Sequence, residues 1–159
     1  MDGVDMILLT RRAVFCASHY YWNEAWPAEK NEQVFGRCAN RHGHGHNYTL
    51  EVTVAGEPDP VTGFVVDLKW LKDVMEREVL SAYDHKHLNL ETPEFKNTIP
   101  TTENIAIAIW KRLEPAVNSE GGASGGGATA GRAAAGGAKL SRIRVYETPE
   151  IFAEYRGEA

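Results

Sequence analysis

The 159-residue sequence contains only two cysteines, Cys16 and Cys38, and neither belongs to a CxxC pair. This small number excludes the disulfide framework of small secreted domains, and the spacing excludes the paired thiolates of a zinc ribbon. Each cysteine is therefore considered as a single thiol.

Long apolar runs and clusters of basic residues are also missing. No segment approaches the roughly 18 to 20 continuous apolar residues of a membrane span, and the start, MDGVDMILLTRR, has acids where a signal peptide would be basic. The net charge is -5, and no basic cluster exceeds the pair Arg11 and Arg12. A GxGxxG dinucleotide motif is absent as well. We expect a cytoplasmic protein whose partners include neither membranes nor nucleic acids.

The sequence is otherwise typical of one globular domain spanning residues 1–159, with 43% apolar and 25% charged residues. Residues 119–138 (SEGGASGGGATAGRAAAGGA) are an exception, because side chains this small bury almost no apolar surface to offset the entropy of ordering. They predict a flexible insert. Only 21 residues follow it, so it interrupts the domain rather than joining two domains.

The remaining segments alternate between strand and helix patterns. Apolar residues at every second position predict strands over 7–19, 46–56, 140–147 and 151–156. Asp67 is a candidate N-cap for a helix whose apolar face carries Leu68, Leu71, Met75 and Val79. A second helix should begin near 100–103 and end before Pro115. The order ββααββ predicts an α+β fold, with two helices on one face of a four-stranded antiparallel sheet. Its exposed edges favour oligomerisation.

Three histidines alternate with glycine in RHGHGHNY, residues 41–48. Side chains two apart in a strand point the same way, so His44 and His46 can reach one cation. Catalytic zinc commonly takes three protein ligands and keeps one position open. The spacing alone leaves the third ligand undecided; the histidines that qualify are His42, His19, His85 and His87. His19 is distinctive because it ends the apolar alternation of Phe15 and Ala17.

Three other positions have the residue types of acid–base chemistry. Cys38 lies in a polar stretch, GRCAN, and a cation nearby would lower the pKa of its thiol. Asp84 can orient His85 for proton transfer, although a surface loop after a helix is the simpler interpretation. Glu147 ends an apolar alternation, and a buried carboxylate needs a partner such as a ligand with two N–H donors.

Six motifs, in order, carry a resemblance to a known family: FCASH, CANRHGHGHNY, DPVTGFVVDLKWLK, DHKHLN, TTEN and VYET. Together they resemble the 6-pyruvoyltetrahydropterin synthase family over nearly the whole chain except the Gly/Ala-rich insert. The resemblance implies the tunnelling fold, in which trimers form a barrel, two trimers stack as a hexamer, and each active site lies between subunits.

The resemblance also assigns roles to residues. It places His19, His44 and His46 on the zinc ligands and leaves His42 outside them. Cys38 matches the catalytic base, with Asp84 and His85 in the proton-transfer group. Glu147 matches the carboxylate that grips the pterin. The remaining matches, beside the pterin pocket, are Thr101, Thr102 and Glu103; Thr102 is the favoured contact, although helix capping also explains a threonine there.

The implied substrate is 7,8-dihydroneopterin triphosphate, converted to 6-pyruvoyl-tetrahydropterin with loss of triphosphate. Mg²⁺ is expected on the triphosphate, with Arg11, Arg12 and Lys86 as candidate contacts. Cys38 stands six residues before His44, as in the pyruvoyl enzymes of the family, whereas the 6-carboxytetrahydropterin synthases of the queuosine route usually have four. VYET favours the pyruvoyl enzymes too. The carboxy enzyme remains the alternative, followed by a non-catalytic zinc-binding module.

Overall fold

The structure of the chain, a computed structural model, describes residues 5–120 and 137–158. Most of the predicted insert, residues 121–136, lies outside these ranges. At the margins of the insert, residues 119 and 120 end a helix and Ala138 is buried in the core.

Within the described ranges, five strands form one mixed sheet in the order β3-β1-β2-β4-β5. In chain order they are β1 (Ile7–His19), β2 (His44–Gly56), β3 (Lys86–His87), β4 (Lys139–Thr148) and β5 (Ile151–Tyr155). The four long strands pair antiparallel, as predicted, but β3 pairs parallel to β1 at Ala17 and Ser18. The prediction of a purely antiparallel, four-stranded sheet was therefore wrong. Two residues are too few to show the alternation by which strands are recognised.

The part of the chain that the structure describes has more helices than the two that periodicity predicted. They are α1 (Ala28–Phe35), α2 (Leu68–Met75), α3 (Ser81–Tyr83), α4 (Leu88–Glu91) and α5 (Thr102–Glu120). A 3₁₀ turn at Gly36–Ala39 follows α1, a π turn at Glu76–Leu80 joins α2 to α3, and a second 3₁₀ turn spans Pro93–Phe95. The Asp67 side chain accepts hydrogen bonds from the N–H groups of Lys69 and Trp70, as its predicted capping role requires.

Helix α5 passes through Pro115, so the prediction that it ends before this residue was wrong. Proline in a helix interior loses one backbone hydrogen bond and costs about 3 kcal/mol relative to alanine. Ala116 and Val117, directly after it, are buried in the core. Burying a valine side chain stabilises by about 1.5 to 3 kcal/mol, which offsets much of that cost.

The core lies between the helices and one face of the sheet. Phe15, Tyr48 and Leu50 from the sheet pack with Leu71 and Ile109 from the helices, and all five are buried. The predicted apolar face of α2 is otherwise confirmed, but Leu68, in the first turn, is 48% exposed. In residues 5–120 and 137–158, no helix combines the length and apolar character that a bilayer crossing requires.

Candidate metal centre and active site

The pairing of β1 with β2 brings the histidines together. His19 lies opposite His44, and Ala17 lies opposite His46, in the antiparallel register. Directly paired residues project to the same side of a sheet, so all three imidazoles lie at the end of the core-facing side. Of the four histidines that the spacing left open as third ligand, only His19 lies with His44 and His46.

The three imidazoles meet edge to face. The Nε2 atoms of His19 and His44 are 3.1 Å apart, and the centroids of the His19 and His46 rings are 5.2 Å apart. The Nδ1 atom of His19 is 2.8 Å from the carbonyl oxygen of Pro100. This oxygen can only accept, so Nδ1 carries the proton and Nε2 presents its lone pair to the cluster.

Burial favours neutral imidazoles at this site. It is the largest influence on His19, whose pKa falls to about 4 even though the hydrogen bond to Pro100 acts in the opposite direction. Burial likewise lowers the pKa of His46, against the charge of Glu147. Neutral imidazole is the form that ligates metals.

Glu147 completes the group from the end of β4. Its Oε1 lies 3.0 Å from His46 Nε2, and its Oε2 accepts a hydrogen bond from the Thr102 hydroxyl. The candidate ligand atoms of His19, His44, His46 and Glu147 all lie within 4.8 Å of one another. His46 Nε2 is buried and has no hydrogen-bond partner within the described ranges. A cation between these atoms would satisfy it, so the group fits a metal, and its nitrogen-rich donor set suits zinc.

Cys38 lies near this group, on the 3₁₀ turn after α1. Its carbonyl oxygen accepts the N–H of Tyr21 at 2.7 Å, which ties the turn to the end of β1. Burial, followed by the negative charge of Glu147, raises the pKa of the Cys38 thiol. The lowered pKa that we expected for the Cys38 thiol therefore requires a nearby positive charge that the protein groups alone do not supply.

Tyr21 is a residue of the site that the sequence reasoning missed. Its ring packs edge-on against His19, with centroids 5.1 Å apart. Burial and then the charge of Glu147 raise the pKa of its hydroxyl, so it stays protonated at neutral pH. The signal was present, because Tyr21 continues the alternation of Phe15, Ala17 and His19 by one step beyond the strand.

Asp84 and His85 lie apart from the metal group in the single chain. Asp84 Oδ1 accepts the N–H of Cys16 at 2.8 Å, and its Oδ2 is 2.9 Å from His85 Nδ1. The Cys16 N–H, followed by His85, lowers the pKa of Asp84, against its slight burial. The His85 side chain is 83% exposed. Cys16 faces away from the side that carries His19, so the pair is held on the outer side of β1.

The segment 101–103 divides into three environments. Thr101 caps α5, because its hydroxyl oxygen accepts the N–H of Asn104 at 3.3 Å. Thr102 is buried and donates to Glu147, whereas Glu103 is exposed. Of these three residues, only Thr102 therefore contacts the candidate metal-binding group.

The residues between the histidines have structural tasks. His42 is exposed, and its N–H donates to the Asn40 side chain at 3.1 Å. Gly43 has a φ of +81°, and a Cβ there would lie 2.9 Å from His87 Nε2. The positive φ favours glycine here, and any larger residue would also have to displace the His87 side chain.

The candidate triphosphate contacts are all engaged with protein groups. Arg12 forms an ion pair with Glu51 at 2.5 Å, Arg11 donates to the carbonyl of Leu68, and Lys86 lies 3.4 Å from Glu91. Any contact with a phosphate would add to, or replace, these interactions.

Comparison with known proteins matches residues 8–158 to the family model for 6-pyruvoyl tetrahydropterin synthase. The chain is 37% identical to the 6-pyruvoyl tetrahydrobiopterin synthase of Homo sapiens over 150 residues, covering 94% of this chain and 91% of the human protein. It is 36% identical to the Drosophila melanogaster synthase, covering 99% and 83% of the two chains. The solved Caenorhabditis elegans 6-pyruvoyl tetrahydropterin synthase superposes with a TM-score of 0.81 at 31% identity, over 99% of this chain and 100% of that one.

Proposed function

The chain belongs to the 6-pyruvoyl tetrahydropterin synthase family of enzymes, and from this premise we propose that it makes 6-pyruvoyl-tetrahydropterin for tetrahydrobiopterin synthesis. The substrate is 7,8-dihydroneopterin triphosphate, and triphosphate is eliminated. The observation that carries the proposal is the convergence of His19, His44, His46 and Glu147 within 4.8 Å, with the thiol of Cys38 nearby.

His19, His44 and His46 would hold zinc, since each can present a neutral nitrogen. The carbonyl of Pro100 orients His19 from behind, as outer partners commonly orient metal-bound histidines. When bound, the ion supplies positive charge that polarises the substrate side chain and lowers the pKa of Cys38.

Glu147 would accept hydrogen bonds from the N–H edge of the pterin ring. A two-point contact of this kind orients the ring and discriminates against compounds that lack the donors. The Thr102 hydroxyl holds one oxygen of the carboxylate, which limits its rotation.

Cys38 as thiolate would remove the proton from C1′ of the substrate side chain. The electron pair of that C–H bond passes into the ring, which takes up a proton, so that C1′ is oxidised as the ring is reduced. No external reductant is needed, consistent with the missing dinucleotide motif. Removal of a C2′ proton then expels triphosphate from C3′, and the resulting enol takes up a proton at C3′ and loses its hydroxyl proton to give the pyruvoyl group. His85 oriented by Asp84 is the proposed helper in this step.

His85 can act in this way only from another copy of the chain, because it lies on the outer side of β1 and is exposed. We therefore propose a homo-oligomer, a hexamer built as a dimer of trimers, with active sites between subunits. Mg²⁺ would accompany the triphosphate, and the cytoplasm is the proposed location.

One assay tests the function. Purified, zinc-loaded protein is incubated with 7,8-dihydroneopterin triphosphate, and the products are identified by mass. Triphosphate with a pyruvoyl pterin supports the proposal. Acetaldehyde with a carboxypterin would show the alternative synthase, and unchanged substrate would contradict both.

The matched variant is Cys38→Ala. Because Cys38 is not among the metal-binding group, the variant should retain zinc while turnover falls by about 100-fold or more, the usual contribution of a positioned base. Unchanged turnover would remove Cys38 from the mechanism.

A further inference from the structure

The Glu147 carboxylate is proposed to bind the pterin ring, yet it lies against the imidazoles of the metal-binding group. Its Oε1 is 3.0 Å from His46 Nε2 and 4.0 Å from His19 Nε2, while its Oε2 accepts from the Thr102 hydroxyl. A pterin edge with two N–H donors would need both oxygens to face the ring. Oε1 is turned toward the imidazole nitrogens, so presenting both oxygens to a ring would require the carboxylate to turn.

Two distances in the group are close to those of ligands that share one ion. Ligands at about 2.0 to 2.2 Å from one tetrahedral ion lie about 3.3 to 3.6 Å from one another. The Nε2 atoms of His19 and His44 are 3.1 Å apart, and Oε1 is 3.0 Å from the Nε2 of His46. Oε1 is farther, 4.0 Å, from the Nε2 of His19, and all the candidate ligand atoms fall within 4.8 Å of one another. The side chains thus outline a site closed by four protein ligands.

An ordinary hydrogen bond does not account for the contact between Glu147 and His46. His46 Nε2 is buried and lacks a hydrogen-bond partner in the described part of the chain, although Oε1 is only 3.0 Å away. With the ring proton of His46 on Nδ1, the form that can bind a metal through Nε2, the contact would set two lone pairs against each other. A shared cation turns the repulsion into ligation by both atoms.

We propose that Glu147 is the fourth ligand of the metal in the substrate-free protein, and that pterin binding draws the carboxylate from the metal to the ring. This rests on the proposed function, since it takes a pterin as the ligand. Glu147 would release the metal as its two oxygens turn to the ring, and the substrate side chain would take the position that the carboxylate leaves. Through this exchange, a coordination position at the metal would become available only when the correct ring binds.

The first test replaces the metal with Co²⁺, whose visible absorption reports the number and type of ligands. Glu147→Gln should change the spectrum of the substrate-free protein and weaken Zn²⁺ binding by about tenfold or more. The control Glu103→Gln, an exposed acid near the site, should change neither. An unaltered spectrum and affinity in Glu147→Gln would overturn the proposal. If this variant does not fold, Glu147→Asp is measured in the same way, with the same two readouts.

The second test adds a pterin that has no C6 side chain to the Co²⁺-loaded wild-type protein. Such a ring can engage Glu147 but offers no side-chain hydroxyl to the metal. The spectrum should change in step with quenching of pterin fluorescence. A constant spectrum at saturation contradicts the exchange alone, whereas no binding of the pterin at all contradicts the proposed function together with the exchange. Neither measurement requires turnover, so failure of the exchange and failure of the proposed reaction are recognised separately.

Discussion

His19 is oriented by one backbone atom, and this contact decides which of its nitrogens faces the site. The Pro100 carbonyl engages Nδ1 at 2.8 Å, while the Tyr48 hydroxyl lies 3.2 Å from the same atom. The imidazole is fully buried, so it can neither rotate freely nor exchange these partners for water. A ligand held in this way loses little entropy when it binds a metal.

Two neighbouring histidines allow a matched test of the metal ligands. His44→Ala should lose zinc, because it removes a nitrogen 3.1 Å from that of His19. His42→Ala should retain zinc, because His42 is exposed and lies outside the group of four. Zinc content per chain after dialysis is the measurement. Equal loss in both variants would contradict the assignment.

Among the elements, α5 is joined to the second 3₁₀ turn by a partly buried ion pair. Arg112 donates to Glu94, and the Tyr83 hydroxyl donates to the same oxygen at 3.1 Å. Burial tends to raise the pKa of Glu94, but Arg112 and Tyr83 outweigh it and hold the pKa below its usual value. The ionised carboxylate is therefore favoured in the folded protein.

Glu94→Gln should lower the free energy of unfolding by about 1 to 3 kcal/mol near neutral pH. The Glu94 pKa is lower in the folded chain, so its contribution is complete above the unfolded value of about 4.3 and is lost as pH falls through the folded value. Urea unfolding from pH 7 to pH 3 measures this. The difference between wild type and variant should shrink below about pH 4. The exposed Glu114 on the same helix supplies the control, Glu114→Gln, and a difference that stays constant to pH 3 would contradict the argument.

Pro115 offers a second test at the same scale. Pro115→Ala should restore an N–H inside α5 and raise the free energy of unfolding by about 1 to 3 kcal/mol, the upper figure being the difference in helix propensity. The neighbouring exposed position provides the comparison, Glu114→Ala, which should change stability by under about 0.5 kcal/mol. A lower melting temperature for Pro115→Ala would show that the proline is required by its surroundings.

For the whole molecule, the separation of His85 from the metal group is the main feature. One chain presents the histidine cluster on the core-facing side of the sheet and the Asp84–His85 pair on the outer side of β1. Two copies can therefore form a complete site, in which one supplies the histidine cluster and the other supplies the Asp84–His85 pair. The sheet also leaves large apolar side chains exposed, including Leu8, Val14 and Phe152, which would be covered in an assembly.

Mixing two inactive variants tests the shared site. His44→Ala and His85→Ala should each lose most activity alone, the first by losing zinc and the second by losing a proton-transfer group. Unfolded together and refolded as mixed oligomers, they should regain roughly a quarter of wild-type activity, because random assembly pairs the two intact halves at one site in four. Refolding each variant alone is the control. If the mixed oligomers recovered no activity, His44 and His85 of one active site would come from the same subunit.

Much of this architecture followed from local patterns in the sequence. The alternation of apolar residues predicted the four long strands, Asp67 was identified as a cap, and the six motifs identified the family. Each is a property of neighbouring residues, since strand side chains alternate by backbone geometry alone. That geometry also placed His44 and His46 on one side of β2 before any tertiary contact was known.

The third member of the histidine cluster, and its distance from His85, depended on long-range pairing. His19 meets His44 because β1 and β2 pair in one particular register, and a shift of one residue would turn its side chain to the other face. Glu147 arrives from β4, 101 positions after His46 in the chain, through the pairing of β4 with β2. No local pattern contains these pairings, because register is set by packing of the whole sheet against its helices. The sequence determined which side chains could bind a metal, and only the tertiary structure decided which of them meet.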